Sequence, residues 1–121
     1  MTVRGRTVRS NPKKLNALQL KTLTILQALA AEQAFADAPD ADGAALIHSM
    51  PQAHGDHFHV GQAAVLARDA TGLGNPNVMN ALMRKGLLLA SPAGQPVLTR
   101  EGLGYDTGIA AQILHRADHG S

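Results

Sequence analysis

The sequence predicts a mainly α-helical fold with a small β component, and three observations support this prediction. Apolar residues recur at spacings of three and four over residues 16–35, as on one face of a long helix. Residues 75–98 carry a helical pattern, an apolar run, a turn-rich tip and a second apolar run. Aromatic residues make up only 2% of a chain that is 45% hydrophobic, so aliphatic residues fill the core.

The charge of the chain is unevenly distributed. Residues 1–21 contain six Lys and Arg and no acidic residue, a charge of +6, whereas the remainder has five basic and nine acidic residues, a charge of −4. Residues 1–14 lack hydrophobic periodicity, and we expect a flexible basic arm. Its Arg4, Arg6 and Arg9 belong either to a solvated tail or to a segment that contacts DNA phosphates or the minor groove.

The longest predicted helix covers residues 16–35. Its apolar stripe consists of Leu18, Thr22, Ile25, Leu26 and Leu29, widened by Leu15, Leu20 and Leu23. A stripe of this width either packs entirely on the protein's own core or offers one side to a second subunit. Residues 36–43 then form a small acidic connector.

Next, the sequence predicts a β-hairpin and a helix. Residues 44–50 and 57–60 have extended character and are separated by six residues, with His57 and His59 on one face of the second strand. Residues 62–69 follow as a helix, and residues 71–74, with two glycines, as a turn.

The segment of residues 75–106 has the clearest local signals. Asn75 is a good N-cap, Pro76 suits the first helical position, and Gly86 ends the helix. Residues 87–90 and 97–98 are predicted strands on either side of a tip at residues 91–96. A C-terminal helix is expected over residues 107–116, and residues 117–121 are expected to fray.

Two motifs in this segment resemble a known family. Residues 81–87 (ALMRKGL) and 97–102 (VLTREG) are similar to the recognition helix and wing of winged helix-turn-helix domains, as in MarR-type bacterial regulators. The resemblance implies a winged-helix domain over residues 15–116, with the hairpin as an addition before the second helix. It also implies DNA binding, a role in transcription regulation and a homodimer.

The predicted recognition helix exposes Asn77, Asn80 and Arg84 along one side. Asn pairs well with adenine, and Arg with guanine or phosphate, so this stripe suits the major groove of double-stranded DNA. Met79 and Met83 lie beside the stripe, and the tip has no Lys or Arg. These features favour the alternative, a winged-helix module that contacts protein and not DNA.

The histidines suggest a second alternative function. His54, His57 and His59 lie within six residues, and His48 is expected on the facing strand. Imidazole is a common ligand of divalent transition metals, so a metal-responsive regulator is a possible function. The spacing matches no structural zinc motif, and side chains that simply face water fit equally well.

Several classes are excluded or disfavoured by the sequence. There is no cysteine, hence no disulfide or thiolate metal site. No stretch is long and apolar enough to span a bilayer, which predicts a cytoplasmic protein. No catalytic triad order, phosphate-binding loop or paired carboxylates stand out, so we expect no enzyme and no resident cofactor.

Overall fold

The computed structural model describes residues 11–116, which form a mixed α/β fold. These residues contain the helices α1 (Ala17–Ala30), α2 (Pro76–Arg84), α3 (Arg100–Gly104) and α4 (Ala110–Ile113), and the strands β1 (Ala45–Leu46), β2 (His57–Val60), β3 (Ala63–Leu66), β4 (Leu88–Ala90), β5 (Pro96–Leu98) and β6 (His115–Arg116). With 37% of the structure helical and 20% in strands, arranged as two antiparallel sheets, the prediction of a mainly α fold with a winged helix-turn-helix architecture and one extra hairpin is wrong.

Helix α1 lies at the centre of the fold. Asn16 and Gln19 form a capping box at its start, in which each side chain binds the backbone N–H of the other residue. The helix buries six consecutive or nearly consecutive residues, Thr22, Leu23, Thr24, Ile25, Leu26 and Leu29. Because the wide apolar stripe is buried within the chain itself, α1 leaves little apolar surface for a second subunit.

The helix ends five residues earlier than predicted. Beyond Ala30, the Phe35 carbonyl accepts hydrogen bonds from the N–H groups of His48 (2.8 Å) and Ser49 (3.2 Å), and Ala36 forms a bridge with Ile47. In a helix that ended at Phe35 this carbonyl would have no intrahelical partner, whereas here it is bound by the N–H groups of His48 and Ser49, and this long-range pairing replaces the last predicted turn.

One sheet has the order β1-β5-β4 and backs α2. Residues 75–98 form the predicted helix, strand, tip and strand: Asn75 caps α2, Gly86 follows it with a φ of 78°, and Leu88 pairs with Leu98. Strand β1 pairs with β5, at Ala45 and Leu98, and not with β2. The predicted hairpin between residues 44–50 and 57–60 is therefore wrong.

The other sheet has the order β2-β3-β6. Its strand β3 lies where the sequence predicts the first helix of the helix-turn-helix. Residues 62–69, predicted as a helix, instead form β3 followed by a short 3-10 helix (Ala67–Asp69). Gly61, with a φ of 58°, begins the two-residue turn that pairs Val60 with Ala63. Helical propensity in QAAVLARD is outweighed because β3 forms hydrogen bonds on both sides and buries Val65 completely.

The predicted C-terminal helix is also mostly wrong. Only Ala110–Ile113 is helical, and residues 115–116 become β6 against β3. Earlier in this segment Thr107 is buried, and its hydroxyl lies 2.7 Å from that of Thr24 on α1. Burial of Thr107 and pairing of residues 115–116 with β3 thus replace the two ends of the predicted helix.

A second 3-10 helix, Thr71–Gly74, connects the sheet to α2. Gly72 is buried against α1, where an added Cβ would overlap the Thr22 hydroxyl. This close approach sets the position of α2 relative to α1. Within residues 11–116 no helix is long and apolar enough to cross a membrane.

Candidate nucleic-acid interface

The outer side of α2 presents three polar side chains. Asn77, Asn80 and Arg84 are exposed and follow one another at spacings of three and four, while Val78, Ala81 and Leu82 are buried on the inner side. Within residues 11–116 none of these three polar side chains forms a hydrogen bond or an ion pair. They are therefore available to an external partner.

The two methionines of α2 lie between its buried and polar sides. Met79 and Met83 are only partly buried and pack against the core cluster. They line a groove of about 290 Å³ between α2 and strand β4. The side chains of Met50 (44% exposed) and Leu89 (54% exposed) are the two large apolar side chains that the described chain leaves most open, and both border this groove. The twelve residues that line it include no charged residue.

The hairpin of β4 and β5 lies beside this groove. Its tip is closed by the Ser91 hydroxyl, which accepts a hydrogen bond from the Gln95 N–H at 3.0 Å, and by the Gly94 N–H on the Ser91 carbonyl. No Lys or Arg lies between Lys85 and Arg100. Contacts from the tip to a DNA backbone would be made by neutral groups.

Acidic residues are absent from the whole segment that carries this surface. Residues 70–100 contain Arg84, Lys85 and Arg100 and no Asp or Glu. The preceding acid, Asp69, is mostly buried and pairs with Lys21 at 3.1 Å. The comparison of residues 1–21 with the remainder of the chain missed this pattern, whereas a charge count for each predicted element would have found it.

The predicted basic arm falls partly outside the structure. Arg4, Arg6 and Arg9 lie outside the described residues. Its last four residues, 11–14, form a turn in which the Lys14 N–H donates to the Asn11 carbonyl at 2.9 Å. Lys13 contacts Lys85, the residue that ends α2, through a 2.7 Å hydrogen bond from the Lys85 ammonium group to the Lys13 carbonyl. The basic arm therefore joins the body next to α2.

The histidines gather elsewhere, on the outer face of the β2-β3-β6 sheet. The rings of His57 and His59 meet edge to face with centroids 4.9 Å apart, and His54 lies 6.2 Å from His59. His48 is not opposite them, since it lies 2.8 Å from the Ser49 hydroxyl and 3.9 Å from Asp37. Over residues 11–116 no three His, Asp or Glu side chains are arranged to hold a metal ion.

No protein-family model, curated protein or solved structure matches this chain. The functional argument consequently depends on the geometry and charge of the residues described above.

Proposed function

We propose that the protein binds double-stranded DNA through α2 and is a small, cytoplasmic, transcription-associated protein. One observation carries the proposal: Asn77, Asn80 and Arg84 form an exposed, unpaired polar stripe on a helix whose whole surrounding segment, residues 70–100, has no carboxylate.

The chemistry of the stripe suits the edges of base pairs. An Asn amide pairs with the N6 and N7 atoms of adenine, and an Arg guanidinium with O6 and N7 of guanine or with a phosphate. An α-helix such as α2, with its side chains, is about 10–12 Å in diameter, which fits a major groove about 12 Å wide. An acidic residue on this surface would repel the phosphates, and residues 70–100 have none.

The proposal includes a homodimer. Two copies of α2 related by a two-fold axis would contact successive major grooves when they lie about 34 Å apart, one helical turn of DNA. Since α1 is buried within the chain, the subunit contact would involve another surface, and a pseudopalindromic DNA site would accompany it.

A matched pair of triple variants tests DNA binding. In one protein Asn77, Asn80 and Arg84 are replaced by Ala. In the other, three exposed residues away from α2 are replaced by Ala: Gln33, Gln52 and Arg116. Both variants lose two amides and one positive charge. Binding is measured at about 50 mM salt to a duplex that the wild type has selected from a random-sequence pool, so that base contacts contribute as well as phosphate contacts.

We expect the α2 variant to bind at least tenfold more weakly than the wild type and the control to bind within about threefold, since base and phosphate contacts of this kind contribute about 1–3 kcal/mol each. Equal losses in the two variants would assign the affinity to net charge and reject the α2 surface. Absence of binding by the wild type at tens of micromolar protein would reject the whole proposal.

The groove beside α2 favours a second function, a protein-interaction module that does not bind DNA. Met50 and Leu89 are unusually exposed for their size. Met79 and Met83 also line the groove, and their flexible side chains can adapt to the shape of a partner. An apolar helix or strand of another protein fits such a surface better than a charged duplex does.

Substitutions in the groove and substitutions on α2 distinguish the two functions. Replacement of Met50 and Leu89 by Gln should release a protein partner from a complex seen in cell extract by gel filtration, while the α2 triple variant should retain that partner. If the protein partner is instead lost only from the α2 triple variant and is retained by the variant with Gln at positions 50 and 89, the protein-interaction function of the groove is rejected.

A further inference from the structure

The turn just before α1 is held against the rest of the fold at several points. The Lys14 N–H donates a 2.9 Å hydrogen bond to the Asn11 carbonyl, which closes a four-residue turn. The Asn11 side chain accepts from the Leu15 N–H and donates to the Leu15 carbonyl, each at 3.0 Å, and Leu15 is buried. The Tyr105 hydroxyl accepts from the Lys13 N–H at 3.0 Å and donates to Asn11 Oδ1. The turn therefore occupies one defined position on the body.

This turn lies against the C-terminal end of α2. The Lys85 ammonium group, on the residue that follows α2, donates a 2.7 Å hydrogen bond to the Lys13 carbonyl. Lys14 is the chain neighbour of Lys13, and Arg84, the last residue of α2, is the chain neighbour of Lys85. Lys14 and Arg84 are thereby brought to the same end of the helix, and both are exposed.

Lys14 has a backbone conformation that a lysine rarely adopts. Its φ is 54°, and among residues 11–116 no other non-glycine residue lies in the left-handed region. The Cβ of a lysine crowds the backbone there, a cost that glycine avoids. Strained residues of this kind persist where the surrounding contacts hold them, and they concentrate at functional sites. A glycine would serve the turn better, so the turn by itself does not explain the lysine side chain.

The Lys14 side chain is charged and unpaired in a positive region. Within residues 11–116 its ammonium group forms no hydrogen bond or ion pair, because Glu101 pairs with Lys13 instead, at 3.8 Å. The partner of the Lys85 ammonium group is a neutral carbonyl, which does not compensate its charge. The charged residues around this end of α2 are four cations and two carboxylates: Lys13, Lys14, Arg84, Lys85, Glu101 and Asp106. The region therefore carries a net positive charge.

We propose that Lys14 binds a phosphate of the same duplex that α2 contacts, beside the C-terminal end of the helix. This inference rests on the proposed DNA binding. Since an α-helix with its side chains is about as wide as the major groove, residues next to its end lie near the phosphates that border the groove. Such a contact carries no sequence information and fixes the position of the helix in the groove. The strained turn holds Lys14 in place for that contact.

The test compares single substitutions in the full-length chain. Lys14→Gly removes the ammonium group and relieves the left-handed backbone, whereas Lys14→Arg keeps the positive charge. Lys14→Asn is a second variant without the charge, because asparagine tolerates the left-handed region. Arg116→Gln, which removes one exposed charge from the other sheet, is the control for net charge. Each protein is titrated with the duplex selected by the wild type at several salt concentrations, and melting temperatures are measured in parallel.

The expected result is a weaker salt dependence without a loss of stability. One phosphate contact contributes about 0.9 to the magnitude of the slope of log affinity against log salt. We expect Lys14→Gly and Lys14→Asn to lose about this much, and Lys14→Arg and Arg116→Gln to keep the wild-type slope. The melting temperature of Lys14→Gly should not fall below that of the wild type, because glycine avoids the strain at this position.

The slope decides the inference, and the melting temperature excludes unfolding as its cause. A merely structural role of Lys14 would lower the melting temperature of Lys14→Gly and leave its slope unchanged. An unchanged slope in both uncharged variants, a loss of slope in Lys14→Arg, or an equal loss in Arg116→Gln overturns the inference while the proposed DNA binding stands. If the wild type does not bind any duplex, the proposed function fails first.

Discussion

The hydroxyl groups of Thr24 and Thr107 lie 2.7 Å apart in the core, where both residues are buried. Thr24 also lies 2.8 Å from the Leu20 carbonyl, the usual acceptor one turn earlier in a helix. Since a hydroxyl has one hydrogen, Thr24 donates to Leu20 and accepts from Thr107. This buried chain of two hydrogen bonds attaches the segment after α3 to the central helix.

The direction of these bonds predicts unequal effects of two similar substitutions. Thr24→Val leaves the buried Thr107 hydroxyl without an acceptor and should lower the free energy of unfolding by about 1–3 kcal/mol. Thr107→Val leaves the Thr24 hydroxyl still donating to Leu20 and should cost less. The double variant should cost less than the sum, as measured by urea unfolding. Additive costs would mean that the two hydroxyls are not coupled.

Gly72 provides a second stability prediction. Gly72→Ala should lower the free energy of unfolding by about 1–3 kcal/mol, because the new methyl group would overlap the Thr22 hydroxyl, which is itself held by the Leu18 carbonyl at 2.8 Å. Gly74 is the matched control: it lies in the same 3-10 helix, and a Cβ there meets no atom within 4 Å. Gly74→Ala should change stability by less than about 0.5 kcal/mol. A similar loss at both positions would point to backbone effects instead of close packing.

The groove beside α2 should bind hydrophobic probes. A fluorescent dye that binds apolar surface should bind the native protein, and Leu89→Gln should reduce that signal because Leu89 borders the groove and is 54% exposed. For the same reason the substitution should change the free energy of unfolding by less than about 0.5 kcal/mol. Dye binding that is unchanged in Leu89→Gln would place the accessible apolar surface elsewhere.

The geometry of the histidine cluster predicts that divalent transition metals do not stabilise the protein. Addition of zinc or of a chelator should leave the melting temperature unchanged, because the described residues bring no three metal-binding side chains together. A ligand that binds only the native state at a hundred times its dissociation constant stabilises by about 2.7 kcal/mol, which thermal unfolding would detect readily. A rise with zinc that disappears in a His57→Ala, His59→Ala variant would restore the metal-responsive alternative.

Local signals in the sequence determined the start of α1, both ends of α2 and the β4-β5 hairpin. Asn16 with Gln19, Asn75 with Pro76, and Gly86 each start or stop a helix through contacts within a few residues, so no tertiary information is needed to locate these ends. The polar stripe on α2 could likewise be identified from spacing alone. The helix predicted over residues 62–69 failed because β3 pairs with β2 on one side and with β6 on the other, and local propensity does not register this pairing with β6.

Tertiary structure alone decided which distant segments meet. Pairing of Ala45 with Leu98, of Ala64 with His115 and of Asn11 with Tyr105 joins residues far apart in the chain, and hydrophobic periodicity specifies faces but not partners. The same holds for Lys13, Lys85 and Tyr105, which are unremarkable in the sequence and meet only because the fold brings the segment before α1 to the end of α2. The local sequence thus determines which side chains are charged and exposed. Long-range packing determines which of them lie around α2.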